Sequence, residues 1–303
     1  MSDSRPLVTI ITNTKNRANL LVDCIKSIQR QTYRNYEHII ADGGTDGTEE
    51  VVAGLSKDDP HIRYIKVTSG GVIAQTKEAF KISKGKFITF LDDDDEYLPC
   101  KIERQVELIT SLPEDYGFIY GSMSYYDYRT KAFLYSHDAG PEGGNLLETA
   151  LVEPVICGTP TLMFRREVFK SLGGTWIGGI GNEMSDWALV CKALKAGWKV
   201  GALKESNIKV YINHNSVRMS DIQKTKNEAE KYILFHSYFL NEYADVFRKN
   251  PKLSIYHLDN LFCFNMLAGH RAEGFRVWKR LLKVRPDFRT LALLPYYILK
   301  SLR

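Results

Sequence analysis

Cysteine is sparse in this chain, and what there is lies scattered. The five residues, Cys24, Cys100, Cys157, Cys191 and Cys263, are odd in number and form no CxxC pair. That spacing argues against a disulfide framework or a zinc cage and points to a reducing compartment. Long apolar runs are also missing. The longest nearly pure one, Leu291 to Leu299, contains Pro295 and falls far short of the ~20 residues that span a bilayer. Met1 to Pro6 lack the charged and apolar regions of a signal peptide, so a cytoplasmic location is expected. There is no internal repeat and no low-complexity tract. Glycine is absent from Asn13-Thr14-Lys15-Asn16-Arg17, which follows the first apolar run. A dinucleotide-binding dehydrogenase needs GxGxxG there, and a sugar-nucleotide nucleotidyltransferase would show a glycine-rich basic loop.

What is present is an apolar run that ends in charge. Phe87-Ile88-Thr89-Phe90-Leu91 reads as a buried strand, and Asp92, Asp93, Asp94 and Asp95 follow it directly. Four adjacent carboxylates repel one another unless a cation sits among them. Carboxylates delivered to one point suit a hard divalent metal, and such metals neutralise phosphates. An EF-hand reading of Asp92, Asp94, Glu96 and Glu103 fails because Tyr97 stands where the loop needs glycine.

The first hundred residues alternate strand and helix signals. Strands are expected at Leu7–Ile11, Tyr36–Ala41, Ile62–Val67 and Phe87–Leu91. The helices between them show spacings such as Leu21, Ile25, Ile28. Helical crossovers of this length imply a parallel sheet whose strand C-termini share one edge, the edge where α/β proteins bind ligands. On that edge fall Asn13, Lys15, Asn16 and Arg17; Asp42 to Asp46 with Gly43 and Gly44; Ser69 to Gly71; and the four aspartates. Cations, glycines and carboxylates on one rim point to a nucleotide or phosphate site. Residues 115–136 read as a strand or hairpin, Thr161–Phe164 as a strand, and Val200–Leu203 and Ile208–Ile212 as two short strands. From Ser220, a capping box (Ser220-Asp221-Ile222-Gln223) opens a helical region. The expected division is an α/β domain at 1–219, with halves at 1–100 and 101–219, followed by a helical appendage at 220–303.

In order and spacing, Val8-Thr9-Ile10-Ile11, Asn16-Arg17, Gln31-Thr32-Tyr33, Asp42-Gly43-Gly44-Thr45-Asp46-Gly47-Thr48 and Phe90-Leu91-Asp92-Asp93-Asp94-Asp95 with Pro99 resemble family 2 glycosyltransferases. The resemblance covers roughly residues 6–215. It implies a GT-A fold, a Rossmann-like, mostly parallel sheet flanked by helices. It also implies inverting transfer of a sugar from a nucleotide-sugar, a UDP-sugar by expectation, to an acceptor hydroxyl with Mn²⁺ or Mg²⁺. Under it Asp92-Asp93-Asp94 is the DxD element, with Asp94 on the metal and Asp92 on the ribose or metal-bound water. Asn13, Lys15, Arg17, Asp42, Lys77 and Asp93 join the donor site, and His214 completes metal or diphosphate binding. Asp186 falls on the position of the base, where a helix N-cap role is also open. Thr159 and Trp187 fall on the acceptor side, where Trp187 stacks on sugar or belongs to the core. Departures exist. Gly43 replaces a second aspartate, and Thr76, Lys77 and Ala79 stand where the family has Arg-Asn and Gly. A nucleotidyltransferase and a non-catalytic nucleotide-sugar binder remain alternatives.

Residues 271–303 hold nine Lys/Arg against two Asp/Glu, a balance of +7, while the other 270 residues hold 32 against 34. Phe275, Trp278 and Leu282 share a helical face among Arg276, Lys279, Arg280 and Lys283. The expectation is peripheral contact with an anionic membrane on its cytoplasmic side, where a glycan or lipid-linked acceptor would be met. Nucleic acid is not an expected partner, since no binding motif accompanies the charge. Sequence leaves the sugar, the linkage and the oligomeric state open.

Overall fold

The computed structural model describes residues 5–57, 59–156, 158–180, 185–212 and 226–293. The four expected apolar runs form parallel strands β1 (Val8–Thr14), β2 (Tyr36–Asp42), β3 (Ile62–Lys66) and β4 (Phe87–Phe90), ordered β3-β2-β1-β4. Parallel strands need crossovers, here the helices α1 (Ala18–Gln29), α2 (Thr48–Ser56) and α3 (Gly71–Ile82). Alternation along β1 divides the core. Val8 and Ile10 pack with Leu21, Ile25 and Ile28 of α1. On the opposite face Phe90 meets Phe169 and Trp176, with ring centroids 5.4 and 4.5 Å away. Full burial of each such side chain contributes roughly 1.5–3 kcal/mol.

Past β4 the sheet is mixed. The chain continues through β5 (Glu96–Tyr97), α4 (Lys101–Ser111), β6 (Tyr116–Asp127) and β7 (Phe133–His137). After the short helix α5 (Leu147–Ala150) come β8 (Met163–Arg165), α6 (Arg166–Ser171), α7 (Ser185–Lys195) and β9 (Lys199–Ile212). The order is completed as β4-β8-β6-β9-β5, and β7 pairs with β6 as the expected hairpin. β8 runs antiparallel to both β4 and β6, while β9 is parallel to β6. Two expectations change. The runs at 200–203 and 208–212 are one strand, whose register against β6 shifts around Gly121–Ser124. The run at 161–164 opens as a 3₁₀ turn, Thr159–Thr161, because Pro160 favours the first turn of a helix; the strand itself is Met163–Arg165.

By contacts the chain divides into two units. One is Met1–Leu147 with Val155–Trp176 and Leu189–Asn215; the other is Glu148–Pro154, Ile177–Ala188 and Ser216–Arg303. The sequence suggests a single cut near 219, whereas this division places two short earlier segments with the helices. The second unit holds α8 (Lys226–Glu242), α9 (Ala244–Lys249), α10 (Ile255–Ala268) and α11 (Arg271–Val284). Tyr232 of α8 stacks on Phe264 of α10 with centroids 4.5 Å apart. Gly269, with φ 88°, ends α10 and turns the chain into α11. Among the described residues no helix is long and apolar enough to cross a membrane.

Candidate functional site

The C-terminal edge of β1, β2 and β4 is tied together by side chains from its loops. At the tip of β4, Asp93 is 4% exposed. Its Oδ1 accepts from Arg17 Nη1 at 2.9 Å and its Oδ2 from Thr14 Oγ1 at 2.7 Å. The same Arg17 nitrogen donates to Asp94 Oδ2 at 3.2 Å. The cation demanded by four aspartates is thus in part the protein's own guanidinium. One guanidinium does not neutralise four carboxylates: burial first, and Asp94 second, hold the Asp93 carboxyl up at about 6 against the pull of Arg17 and Thr14. Asp95 is 1% exposed, and its Oδ1 accepts the Tyr211 amide at 3.1 Å, fastening the end of β9 to the tip. Asp92 is exposed.

The loop after β2 is built around Asp42, which is fully buried. Its Oδ1 accepts the Gly44 amide at 2.6 Å, and its Oδ2 accepts from Lys66 Nζ at 2.6 Å and Tyr64 Oη at 2.8 Å. Asn16 reaches across with Oδ1 to the Thr45 amide, 2.7 Å away. Gly44 is required at this approach, since a Cβ there would lie 2.5 Å from the Asn16 amide. Asp46 Oδ2 accepts the Ala18 amide at 3.1 Å, one of the unpaired donors at the start of α1. Asn13 donates to Thr76 Oγ1 at 2.8 Å, while its Oδ1 is buried with no partner. Such an atom costs about 1–3 kcal/mol.

Two expected donor residues therefore change character. Asp42 and Asp93 have both oxygens engaged by protein donors, so they hold Lys66 and Arg17 rather than presenting free carboxylates. Lys15 and Lys77 are exposed. For Trp187, where sugar stacking and core packing are both open in the sequence, the structure shows core packing. The side chain is 5% exposed, its Nε1 donates to the Ala150 carbonyl, and Phe235, Phe239, Tyr256 and His257 surround its ring with centroids 5.3–6.1 Å away. With its faces occupied, Trp187 is core and not a sugar platform. Asp186, in the second unit, lies half-buried in the first turn of α7 and accepts the Trp187 amide at 2.7 Å. Asp186 is thus the second residue of α7, inside its first turn, and not the residue that precedes the helix. His214 lies outside the described residues.

Lys66 and Tyr64 were missed as partners of Asp42, although their alternation on β3 was visible. Lys101 was missed as well. It is 1% exposed, donates to Thr89 Oγ1 at 2.7 Å and lies 3.8 Å from the Tyr97 ring centroid. Burial pushes its pKa well below the usual lysine range. Thr89 in turn donates to the Leu162 carbonyl at 2.7 Å, and Gln105 to the Thr161 carbonyl at 2.7 Å. This network anchors the turn that carries Thr159 to β4 and α4. The available signal was a lysine at the head of the inward stripe Ile102, Gln105, Val106, Ile109.

Among the described residues no group of three or more His, Cys, Asp or Glu side chains could hold a metal ion. The donor set nevertheless fits Mg²⁺ or Mn²⁺. These ions take one or two carboxylates and leave their other positions to phosphate and water, and the tip retains negative charge beyond what Arg17 offsets. Asp92 and Asp94 are the residues that would hold such an ion.

Comparison with known proteins gives the chain's relatives. The profile of "Glycosyl transferase family 2" matches residues 9–173, more than half of the chain. An uncharacterized glycosyltransferase of Rickettsia conorii is 32% identical over 169 residues, 54% of this chain and 27% of that protein. The putative colanic acid biosynthesis glycosyl transferase WcaA of Escherichia coli is 25% identical over 285 residues, 85% of this chain and 90% of WcaA. The GalNAc(5)-diNAcBac-PP-undecaprenol beta-1,3-glucosyltransferase of Campylobacter jejuni is 35% identical over 120 residues, 39% of this chain and 38% of that one. The match spans only about a quarter of the length of the Rickettsia relative. Among solved structures, S. aureus TarS 1-349 with UDP-GlcNAc superposes with TM-score 0.60 at 15% identity, covering 93% of this chain and 91% of that one. The mannosyltransferase PcManGT of Pyrobaculum calidifontis, solved with GDP-Man and Mn2+, gives 0.54 at 17% identity, covering 99% and 82%.

Proposed function

The chain belongs to glycosyl transferase family 2 and has the GT-A fold, and from that premise we propose that it is an inverting glycosyltransferase. Its donor is a nucleoside-diphosphate sugar and its acceptor a hydroxyl of a glycan or lipid-linked glycan. The observation that carries the proposal is the aspartate tip of β4, where Asp93 and Asp94 share Arg17 on the edge at which parallel α/β sheets take ligands. A UDP-sugar is the favoured donor, since the TarS structure holds UDP-GlcNAc. An acceptor in surface polysaccharide or undecaprenol-linked glycan synthesis is supported by the names of two relatives, WcaA and the Campylobacter enzyme.

When bound by Asp92 and Asp94, Mn²⁺ or Mg²⁺ supplies positive charge against the departing diphosphate. Arg17 keeps the tip in one geometry, so little reorganisation is needed as charge develops. Lys66, held by Asp42, is a second fixed cation on this rim. The partnerless Asn13 Oδ1 gains when a donor group of the nucleotide is placed there. Asp186 takes the acceptor's proton, and its position in the first turn of a helix favours the ionised form this role needs. The sugar leaves with inversion because a single displacement exchanges the two faces of its anomeric carbon.

The basic tail provides the place of work. On α11 the inward stripe is Gly274, Val277 and Leu281, a different set from the face that carries Phe275, Trp278 and Leu282. Trp278 Nε1 donates to the Thr290 carbonyl at 2.7 Å and its ring stacks on Phe275. Phe275, Phe288 and Leu291 are 40%, 83% and 53% exposed beside Arg276, Lys279 and Arg289. Apolar groups with cations around them suit the interface of an anionic membrane on its cytoplasmic face.

A donor screen tests the proposal. Incubation with UDP-, GDP- and dTDP-sugars and Mn²⁺ releases a nucleoside diphosphate, and Asp186→Asn lowers turnover by about 10³-fold. Release of pyrophosphate, or turnover unaffected by Asp186→Asn, contradicts it.

A further inference from the structure

The charge at the β4 tip is answered by a side chain whose root is fixed. Arg17 directly precedes α1, and its carbonyl accepts the Leu20 and Leu21 amides at 2.9 and 3.2 Å. Its neighbours are tied as well. Asn16, in the left-handed region at φ 56°, accepts the Thr45 amide on its side chain, and the Ala18 amide donates to Asp46. With the backbone held on both sides, the Arg17 side chain is the part left to adjust. It is 22% exposed, against 6% for each of the two carboxylates it meets.

Those two contacts are unequal. Nη1 donates to Asp93 Oδ1 at 2.9 Å and to Asp94 Oδ2 at 3.2 Å, so one nitrogen serves both carboxylates. Asp93 is braced on its other oxygen by Thr14 Oγ1 at 2.7 Å. Asp94 takes the longer arm of a shared donor. Of the two bonds, the one to Asp94 is the weaker and gives way first.

Asp94 is also one of the two carboxylates that fit Mn²⁺ or Mg²⁺. A carboxylate oxygen that coordinates a divalent ion has less charge left for a guanidinium, and two cations on one carboxylate repel at a tip this little exposed. Arg17 and the ion therefore compete for Asp94, while the bond to Asp93 keeps the tip in place. Turned from Asp94, the guanidinium is still on the rim. Its planar fork of N–H donors matches the oxygens of a diphosphate. A diphosphate thus offsets what Arg17 loses at Asp94. Two ligands linked through one residue in this way raise each other's affinity.

We propose that Arg17 is a resident counter-ion of the tip: it contests Asp94 with the divalent ion and passes to the diphosphate, so that ion and diphosphate bind together rather than singly. The inference rests on the glycosyl-transfer reading and adds to it how the site couples its two ligands.

Electron paramagnetic resonance of Mn²⁺ titrated into the full chain without nucleotide reads the competition, and calorimetry with UDP at saturating Mn²⁺ reads the transfer. Arg17→Gln binds Mn²⁺ about tenfold tighter and UDP about tenfold more weakly than wild type. The gain in Mn²⁺ affinity persists between about 0.05 and about 0.5 M KCl, since contact at a buried carboxylate is screened little, whereas repulsion through solvent fades. Circular dichroism checks the fold. Where Arg17→Gln fails to fold, Arg17→Lys carries the test. Its ammonium is a point charge without the fork and stays on Asp93, so Mn²⁺ again tightens while UDP weakens. Mn²⁺ affinity that is unchanged or lower in the folded variant overturns the proposal. So does a gain that the higher salt removes, or UDP binding that does not weaken. Nucleoside diphosphate release from UDP-, GDP- and dTDP-sugars is measured on the same wild-type sample. Release with unaltered Mn²⁺ affinity in the variant removes the competition alone; neither release nor UDP binding removes the transferase reading.

Discussion

The two units bury polarity in opposite ways. The first buries charge: Asp42, Asp93 and Asp95 are each under 5% exposed, and Lys66, Arg17 and backbone amides answer them. The second buries aromatic surface. Trp187 is enclosed by Phe235, Phe239, Tyr256 and His257, and His257 Nδ1 lies 3.0 Å from His236 Nδ1. Buried charge is expensive unless paired, so a site that gathers it is built for something other than stability. An aromatic cage needs no such explanation.

The largest effect should come from emptying the cage. Trp187→Ala costs about 4 kcal/mol by urea denaturation, as large-to-small core changes do, and Trp187→Phe costs far less. A cost below 1 kcal/mol for the alanine variant would break the contrast by showing that the ring is not core. Next comes the charge cluster. Arg17→Met leaves Asp93 and Asp94 without their shared cation and costs about 3 kcal/mol, the low end for breaking a buried pair because Arg17 is partly exposed. Asp93→Asn in the same background recovers part of that loss, which the double-mutant cycle reads.

A smaller effect sharpens what the units share. Each hides a neutral histidine. Burial holds His257 down at about 4 and His38 at about 3. A histidine with depressed folded pKa binds fewer protons than the unfolded chain, so stability is lost as pH falls from 6.5 toward those values. For His257 alone the loss is about 2 kcal/mol by pH 5, and His257→Phe removes its share of the acid slope in denaturation measured from pH 7 to 5. An unchanged slope would contradict burial as the cause.

Sequence reached the first unit more fully than the second. β1 to β4 and their crossovers were legible because period 2 and period 3.6 are local signals. The antiparallel insertion of β8 between β4 and β6 was not, since pairing between distant segments leaves no local trace. The site divided similarly. The four aspartates and Arg17 were visible as residue types, but their mutual ion pairs, and the engagement of Asp42 by Lys66 and Tyr64, depend on strand order. Trp187 was ambiguous because sugar stacking and core packing call for the same side chain, and only the neighbours decide. Lys101 went unread because a lysine is normally assigned to solvent.

The central claim is that the β4 tip receives the donor's diphosphate. Crystals of the full chain soaked with UDP and Mn²⁺ test it most directly. The account predicts the diphosphate on the rim formed by Asp92, Asp94 and Arg17, with the ion against Asp92 and Asp94. A nucleotide bound at any other surface, with no ion on those carboxylates, would contradict it.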